Sequence, residues 1–272
     1  MEKLQVRLFG RPRVSYAGRD LEEYRSSKSR VLLYFLLINR NRPVSRESLA
    51  TILCGGNGHS DQARHHLRNA LWGLRSELAV EDFPLEEILQ VDREWIEVRT
   101  TARVWLDIDV FRAAARTARS LDGRLDESGA KSLADAADLY TDPLLPNIES
   151  DWCTKERAKL HRTNLFLLDK LSGFHERTET FGKAVAYAER ILDWEPAHER
   201  THRRLMKLYL RMGDRTSALR QFERCNTALR EELDVPPETK TLVLYERIRS
   251  SERPGESDDA NPWMRKTRDQ LG

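Results

Sequence analysis

The sequence predicts a mainly α protein in which an N-terminal α+β winged helix-turn-helix is followed by an all-α domain of tetratricopeptide-like helical hairpins. Three observations carry this. Short alternating segments around residues 4–24 and 88–98 bracket three helical segments, a strand, helix and terminal-hairpin order. From Trp105 onward the periodic segments read as helix only. Residues 184–190 (AVAYAER) resemble residues 218–224 (ALRQFER) at an offset of 34, the tetratricopeptide period.

Taken in order, residues 4–9 alternate apolar and polar and read as a strand, punctuated by Gly10 and Pro12. Residues 14–16, an Ala17-Gly18 turn and a segment around residues 21–24 read as short antiparallel strands. Ser27 is placed to cap a helix from Lys28 to about Asn39, whose run VLLYFLLI marks it as the buried helix. After a loop at 39–43, Ser45 caps a short helix to about Leu53, and CGGNGH (54–59) is a flexible turn. A helix over Ser60 to Leu78 follows, then an acidic loop and a hairpin of residues 88–91 and 95–98 joined by Asp92-Arg93-Glu94. Asp107 or Asp109 is placed to cap a helix to Leu121, and further helices are expected at about 127–140 and 151–177. Each repeat copy follows a glycine, Gly182 or Gly213, expected in a helix-helix turn, and Val235-Pro236-Pro237 breaks the last hairpin before about Ser250. The domains are thus a winged helix over 1–104, a helical domain over 105–250 and a polar, disordered tail over 251–272.

Composition narrows the function. Charged residues make up 33% of the 272 residues, and the mean hydropathy is −0.66. The longest apolar run, residues 31–38, falls far short of the roughly 20 residues of a membrane span. The start MEKLQVRLFG has no signal-peptide pattern, so a membrane role is excluded and a cytoplasmic protein is expected, associated with the nucleoid when bound. Cys54, Cys153 and Cys225 are odd in number and far apart, which fits a reducing compartment and not a disulfide framework. The net charge of +2 conceals an asymmetry. Residues 1–75 hold 14 Lys/Arg against 6 Asp/Glu (+8), while residues 76–109 hold 3 against 10 (−7). A basic block of this kind has the footprint of a nucleic-acid surface.

The helix over 60–78 closes that block. Leu67, Leu71, Leu74 and Leu78 form one apolar stripe at about 100° per residue. Opposite lie Gln62, His65, Asn69 and Trp72, flanked by Arg64, Arg68 and Arg75. Arg64, His65, Arg68, Asn69 and Trp72 are the candidates for base contact in a major groove: guanidinium matches guanine O6/N7 and an amide matches adenine N6/N7. Arg75, Arg93 on the hairpin, and Lys28 and Arg30 on the first helix are the candidates for phosphate contact.

Several blocks together resemble the SARP-type bacterial transcriptional activators, which pair an OmpR-type winged helix with a bacterial transcriptional activator domain. LFGRPRV (8–14), KSRVLLYFLL (28–37), VSRESL (44–49) and ARHHLRNALWGLRSEL (63–78) are similar to that family's winged helix. WLDIDVF (105–111), YTDPLLPNIESDWCTKERAKL (140–160), residues 198–225 and LREELDVPPETKTLVLYERI (229–248) are similar to its second domain. The resemblance implies an activator that binds direct repeats in double-stranded DNA as a homodimer and recruits RNA polymerase holoenzyme through the helical domain. One departure stands out: Cys54 and a glycine-rich stretch replace the tryptophan usual in the loop before the recognition helix, and Trp72 occupies a position more often small or polar.

Rival chemistry is weaker. His198-Glu199-Arg200-Thr201-His202 matches the zincin pattern, but Pro196-Ala197 puts His198 in a first helical turn and the extended pattern is missing. Asp107 and Asp109 read as helix caps in preference to a metal pair. The GGNG run lacks the Lys-Ser/Thr of a phosphate loop, and no nucleophile-base set is evident. No enzyme activity, metal or cofactor is expected. The remaining rival is a tetratricopeptide-like adaptor whose winged helix makes protein contacts and does not read DNA.

Overall fold

The computed structural model describes residues 4–20, 27–40, 42–55, 60–79, 85–99, 103–120 and 125–250. The anticipated strand near 21–24, most of the CGGNGH turn and the tail over 251–272 lie outside the described residues. The fold is the anticipated one, a small α+β portion followed by helices.

The chain forms two compact units, Met1–Lys170 and Leu171–Gly272. These differ from the sequence segments 1–104 and 105–250, because the winged helix and the first helices after it are built into a single core. In that first unit, β1 (Leu4–Arg7) pairs antiparallel with β2 (Arg13–Tyr16), which pairs with β3 (Arg19–Asp20). Ala17 and Gly18, at φ +54° and +78°, make the tight turn between β2 and β3. α1 (Ser27–Ile38) buries every residue from Leu32 to Ile38, which makes it the central helix the apolar run predicted. β4 (Val44–Ser45) leads into α2 (Arg46–Cys54), where Ser45 Oγ accepts from Ser48 N at 3.1 Å as an N-cap. Gly55, at φ +65°, closes α2 by donating its N–H to Thr51 O. α3 (Asp61–Ala79) follows. The hairpin of β5 (Leu89–Val91) and β6 (Trp95–Val98) joins β4 in a second sheet, order β4-β6-β5.

Two elements depart from the sequence reading. The acidic loop contains one helical turn, α4 (Leu85–Ile88), formed because Leu85 and Ile88 both turn into the core. The segment taken as the start of the all-helical part is a strand: β7 (Val104–Leu106) runs parallel to β1, in the register Leu4↔Val104, Gln5↔Trp105, Val6↔Leu106. Pairing between segments a hundred residues apart has no local signature, and three residues are too few to show a period.

β7 delivers Asp107 to the end of β1. Asp107, 2% exposed, opens α5 (Asp107–Ser120). Its Oδ2 accepts from Leu8 N (2.7 Å) and Phe9 N (3.1 Å), and its Oδ1 from Ile108 N (2.8 Å). Burial pushes this carboxyl above its ordinary range, and the three backbone donors pull against that shift. Asp109 serves a different partner: Arg40 Nη2 lies 2.6 Å from its Oδ2, an ion-pair distance without hydrogen-bond alignment. The two acids are therefore neither a metal pair nor interchangeable caps.

Around this junction α6 (Glu127–Ala137) and α7 (Asp151–Arg177) complete the core. Phe9, Phe111 and Tyr140 make an aromatic trio with centroids 4.9–5.6 Å apart. Arg157 donates to the carbonyls of Leu144, Leu145 and Ile148, which holds the segment before α7 against it. Arg112 bridges Ile38 O and Glu156.

The second unit holds α8 (Phe181–Trp194), α9 (Glu199–Arg211), α10 (Arg215–Leu233) and α11 (Thr239–Ser250) as successive hairpins. The repeat is real in packing: Ala184 and Ala218, 34 apart, are both completely buried. Gly213 sits in a turn at φ +78°, as anticipated, but Gly182 lies inside the first turn of α8. Met206, Ala218, Phe222 and Ile248 form the core between α9, α10 and α11.

Asp107→Ala leaves three backbone N–H groups without their acceptor, all on residues buried in the core. It is expected to destabilise the protein by about 3 kcal/mol, read as a lower urea midpoint for loss of circular dichroism, whereas an exposed control such as Asp135→Ala changes little.

Candidate nucleic-acid interface

α3 is divided lengthwise. Ala63, Leu67, Ala70, Leu71 and Leu74 are buried against the neighbouring helices. Gln62, Arg64, His65, Arg68, Asn69, Trp72 and Arg75 are exposed. The predicted stripe is thus the core face for Leu67, Leu71 and Leu74, while the side chain of Leu78 lies outside the described residues. All five residues expected to face bases stand together on the solvent side.

Local chemistry fixes the helix in place. Ser60 Oγ accepts from Ala63 N at 3.1 Å, the cap the sequence predicted. Ser29 of α1 is fully buried and donates its hydroxyl to Ala70 O at 3.1 Å, which fixes α3 against the central helix. A rigid support of this kind is what a reading surface needs.

On the exposed face, Asn69 Nδ2 donates to His65 Nε2 at 3.0 Å, so the two side chains present one shared polar edge. Arg64 approaches Asp61 at 3.5 Å and Arg75 approaches Glu86 at 3.3 Å, both as surface pairs. Exposed pairs of this kind contribute at most about 1 kcal/mol, so they hold the two guanidiniums only weakly. Among the described residues Arg68 pairs with no acid. Trp72 is 71% exposed, the largest exposure of any apolar side chain described. A single exposed indole is ordinary on a protein surface; here it adds an apolar contact surface to a face of cations and amides.

The hairpin sits beside the start of α2. Ser45 pairs with Trp95, Arg46 N donates to Glu94 O at 2.9 Å, and Arg46 Nη1 reaches Asp92 O at 3.3 Å. Arg93 is exposed at its tip and Trp95 is 47% exposed next to it. Arg46 carries no signal in the sequence beyond its place directly after the Ser45 cap.

The two α1 candidates are half-buried. Lys28 Nζ lies 2.9 Å from His66 Nδ1, and Cys54 Sγ lies 3.1 Å from the same nitrogen. The residues are 38 and 12 apart in sequence, so no spacing rule could have found this cluster.

The zincin-like segment has another use. His198 caps α9 and its Nδ1 contacts Thr201 Oγ1 at 2.8 Å. His202, 2% exposed, accepts from Gln221 Nε2 at Nδ1 (2.6 Å) and donates from Nε2 to Pro196 O (2.7 Å). Both ring nitrogens are occupied in holding α9 to α10 and to the turn before α9. Among the described residues no three His, Cys, Asp or Glu side chains converge as metal ligands, and no helix is long and apolar enough to cross a membrane.

A family profile described as "Bacterial transcriptional activator domain" matches residues 106–249. Among solved structures, the chain is similar to EmbR of Mycobacterium tuberculosis, in a complex with a low-affinity phosphopeptide, at a TM-score of 0.73 and 20% identity. That similarity covers 94% of this chain and 67% of EmbR. No curated protein matches the chain in sequence.

Burial holds the His202 imidazole below its ordinary value of 6.5, opposed by its bond to Pro196 O. The unfolded chain therefore takes the proton first, and this contribution to stability is full above pH 6.5 and lost as pH falls below it. The melting temperature is expected to fall between pH 7 and pH 5 more steeply in the native chain than in His202→Gln; equal slopes would show that His202 is not the group responsible.

Proposed function

We propose that this chain, which belongs to the bacterial transcriptional activator domain family and is a transcriptional regulator of the SARP type, works by sequence-specific binding of double-stranded DNA through α3. The observation that carries the reading is the division of α3: an apolar face locked into the core and an exposed face made of guanidinium, imidazole, amide and indole. Arg64, His65, Arg68, Asn69 and Trp72 are assigned to the major groove. Arg68 supplies two parallel donors for guanine O6/N7, Asn69 an amide for adenine, and Trp72 an apolar surface for a thymine methyl. Arg75, Arg93, Lys28 and Arg30 are assigned to the flanking phosphates, with the β5–β6 hairpin as the wing.

On this reading the protein is an activator in the cytoplasm, associated with the nucleoid when bound. Two copies occupy direct repeats, and the helical hairpins offer the contact surface for RNA polymerase holoenzyme. No cofactor or metal has a part in the mechanism.

Arg68→Ala is expected to lose about 1–3 kcal/mol of binding to the specific site, seen as loss of the promoter-specific gel shift with an unchanged circular dichroism spectrum. Retained specific binding would remove Arg68 from the reading face. Arg93→Ala is expected to lower the slope of log K against log salt by about 0.9 on any sequence. An adaptor would show neither the shift nor the salt dependence.

A further inference from the structure

The polar side chains along the outer part of α3 are held in different ways. Arg64 and Arg75 pair with carboxylates. His66 is half-buried, and Lys28 and Cys54 approach its Nδ1 from two other helices. His65 and Asn69 are both exposed, and among the described residues each is bonded through its side chain only to the other. Helix geometry makes this pair. Residues four apart stand one above the other on a single face. Helical side chains lean toward the N-terminus, so the short amide of Asn69 leans over the turn that carries His65. The backbone beneath is fixed at both ends, by the Ser60 cap on Ala63 N and by the Ser29 hydroxyl on Ala70 O.

The direction of the bond decides what the amide has left to offer. Asn69 Nδ2 donates to His65 Nε2 at 3.0 Å, so the nitrogen of the amide and not its oxygen faces the imidazole. An amide nitrogen carries two hydrogens. One goes to His65, and the other remains beside Oδ1. A donor and an acceptor side by side match adenine, whose N7 accepts and whose N6 donates. With the amide turned over, Oδ1 would be spent on the imidazole and only N–H donors would face outward. That edge suits guanine, which offers acceptors at both N7 and O6. An asparagine with no neighbour to hold it has both orientations open, and it discriminates less for that reason.

On the proposed seating of α3 in the major groove, we infer that His65 is a positioning residue, which holds the Asn69 amide in the orientation that accepts adenine and rejects guanine. The ligand specified in this way is a duplex with an A·T pair beneath Asn69. His65 spends its Nε2 on Asn69 and acts through it, while the base contact belongs to Asn69. Once DNA covers the face and water is excluded, an amide group facing the wrong partner has nothing else to bond to, so the orientation set by His65 becomes a preference between bases.

The test is selection of duplexes from a random library by the full chain, followed by competition of the selected duplex against versions changed at one base pair. Asn69→Ala marks its position by losing the adenine preference there. His65→Ala is expected to lower the preference for adenine over guanine at that same position about tenfold, with the salt slope of binding and the circular dichroism spectrum unchanged. His65→Gln supplies an acceptor oxygen and is expected to keep the preference, whereas His65→Lys, a donor only, loses it. A merely structural role would weaken all sequences alike and would not separate Gln from Lys. An adenine preference that survives His65→Ala would overturn the inference. So would an Asn69→Ala variant that changes no position, or a His65→Ala effect confined to a different base pair, which would make His65 a reader in its own right. If the native chain selects no sequence, the DNA reading of α3 falls and this role falls with it. If it selects one and His65→Ala behaves as the native chain, the DNA reading stands and only the role of His65 is removed.

Discussion

The first unit depends on one buried carboxylate. Asp107 stands where β7 ends and α5 begins, and it gathers the N–H groups of Leu8, Phe9 and Ile108. The donors on Leu8 and Phe9 lie just beyond β1; the bridge of Phe9 to Leu144 uses Leu8 O and Gly10 N and leaves these two N–H groups to Asp107. Meeting them with a side chain from the start of α5 fixes Phe9 against Phe111 and Tyr140, and this fixes α6 and the approach to α7. The sheet that begins the winged helix and the helices that follow it therefore share a core. For that reason the first compact unit ends at Lys170 and not near residue 104.

Much of this was legible in the sequence, and the successes share a cause. α1, α3 and the hairpin of β5 and β6 are recognised by periods and caps carried within a few residues: the run VLLYFLLI, the leucine stripe with Ser60 before it, the alternation either side of Asp92-Arg93-Glu94. The failures also share one. β7 is too short to have a period and is defined by a partner a hundred residues away. α4 is one turn held by two core contacts. The site shows the same division. The exposed face of α3 follows from helix geometry alone, whereas the meeting of Lys28, Cys54 and His66 depends on how three helices pack.

The HExxH segment illustrates how pattern and environment separate. A zinc-binding pair needs imidazole nitrogens available on one face of a helix. Here one histidine ends a turn and the other is consumed by Gln221 and Pro196 O, so the same residues act as a polar pin in a helical-hairpin core. The asymmetry of charge along the chain is likewise structural in part: Arg75 of the basic block finds Glu86 of the acidic block at once.

The parallel register of β7 on β1 also constrains what can be done with this chain by recombination. In the sheet order β3-β2-β1-β7, β1 is an interior strand only because the residues after 103 supply its second neighbour. A fragment cut between the winged helix and the activator segment would turn β1 into an open edge, with Leu4 and Val6 on an unpaired strand ready to join another chain. The N-terminal α+β portion is thus not a cassette that can be lifted out at the sequence boundary. A transplantable version has to carry β7 and Asp107 with it, and any gene fusion that separates them leaves β1 as an unpaired edge prone to aggregation.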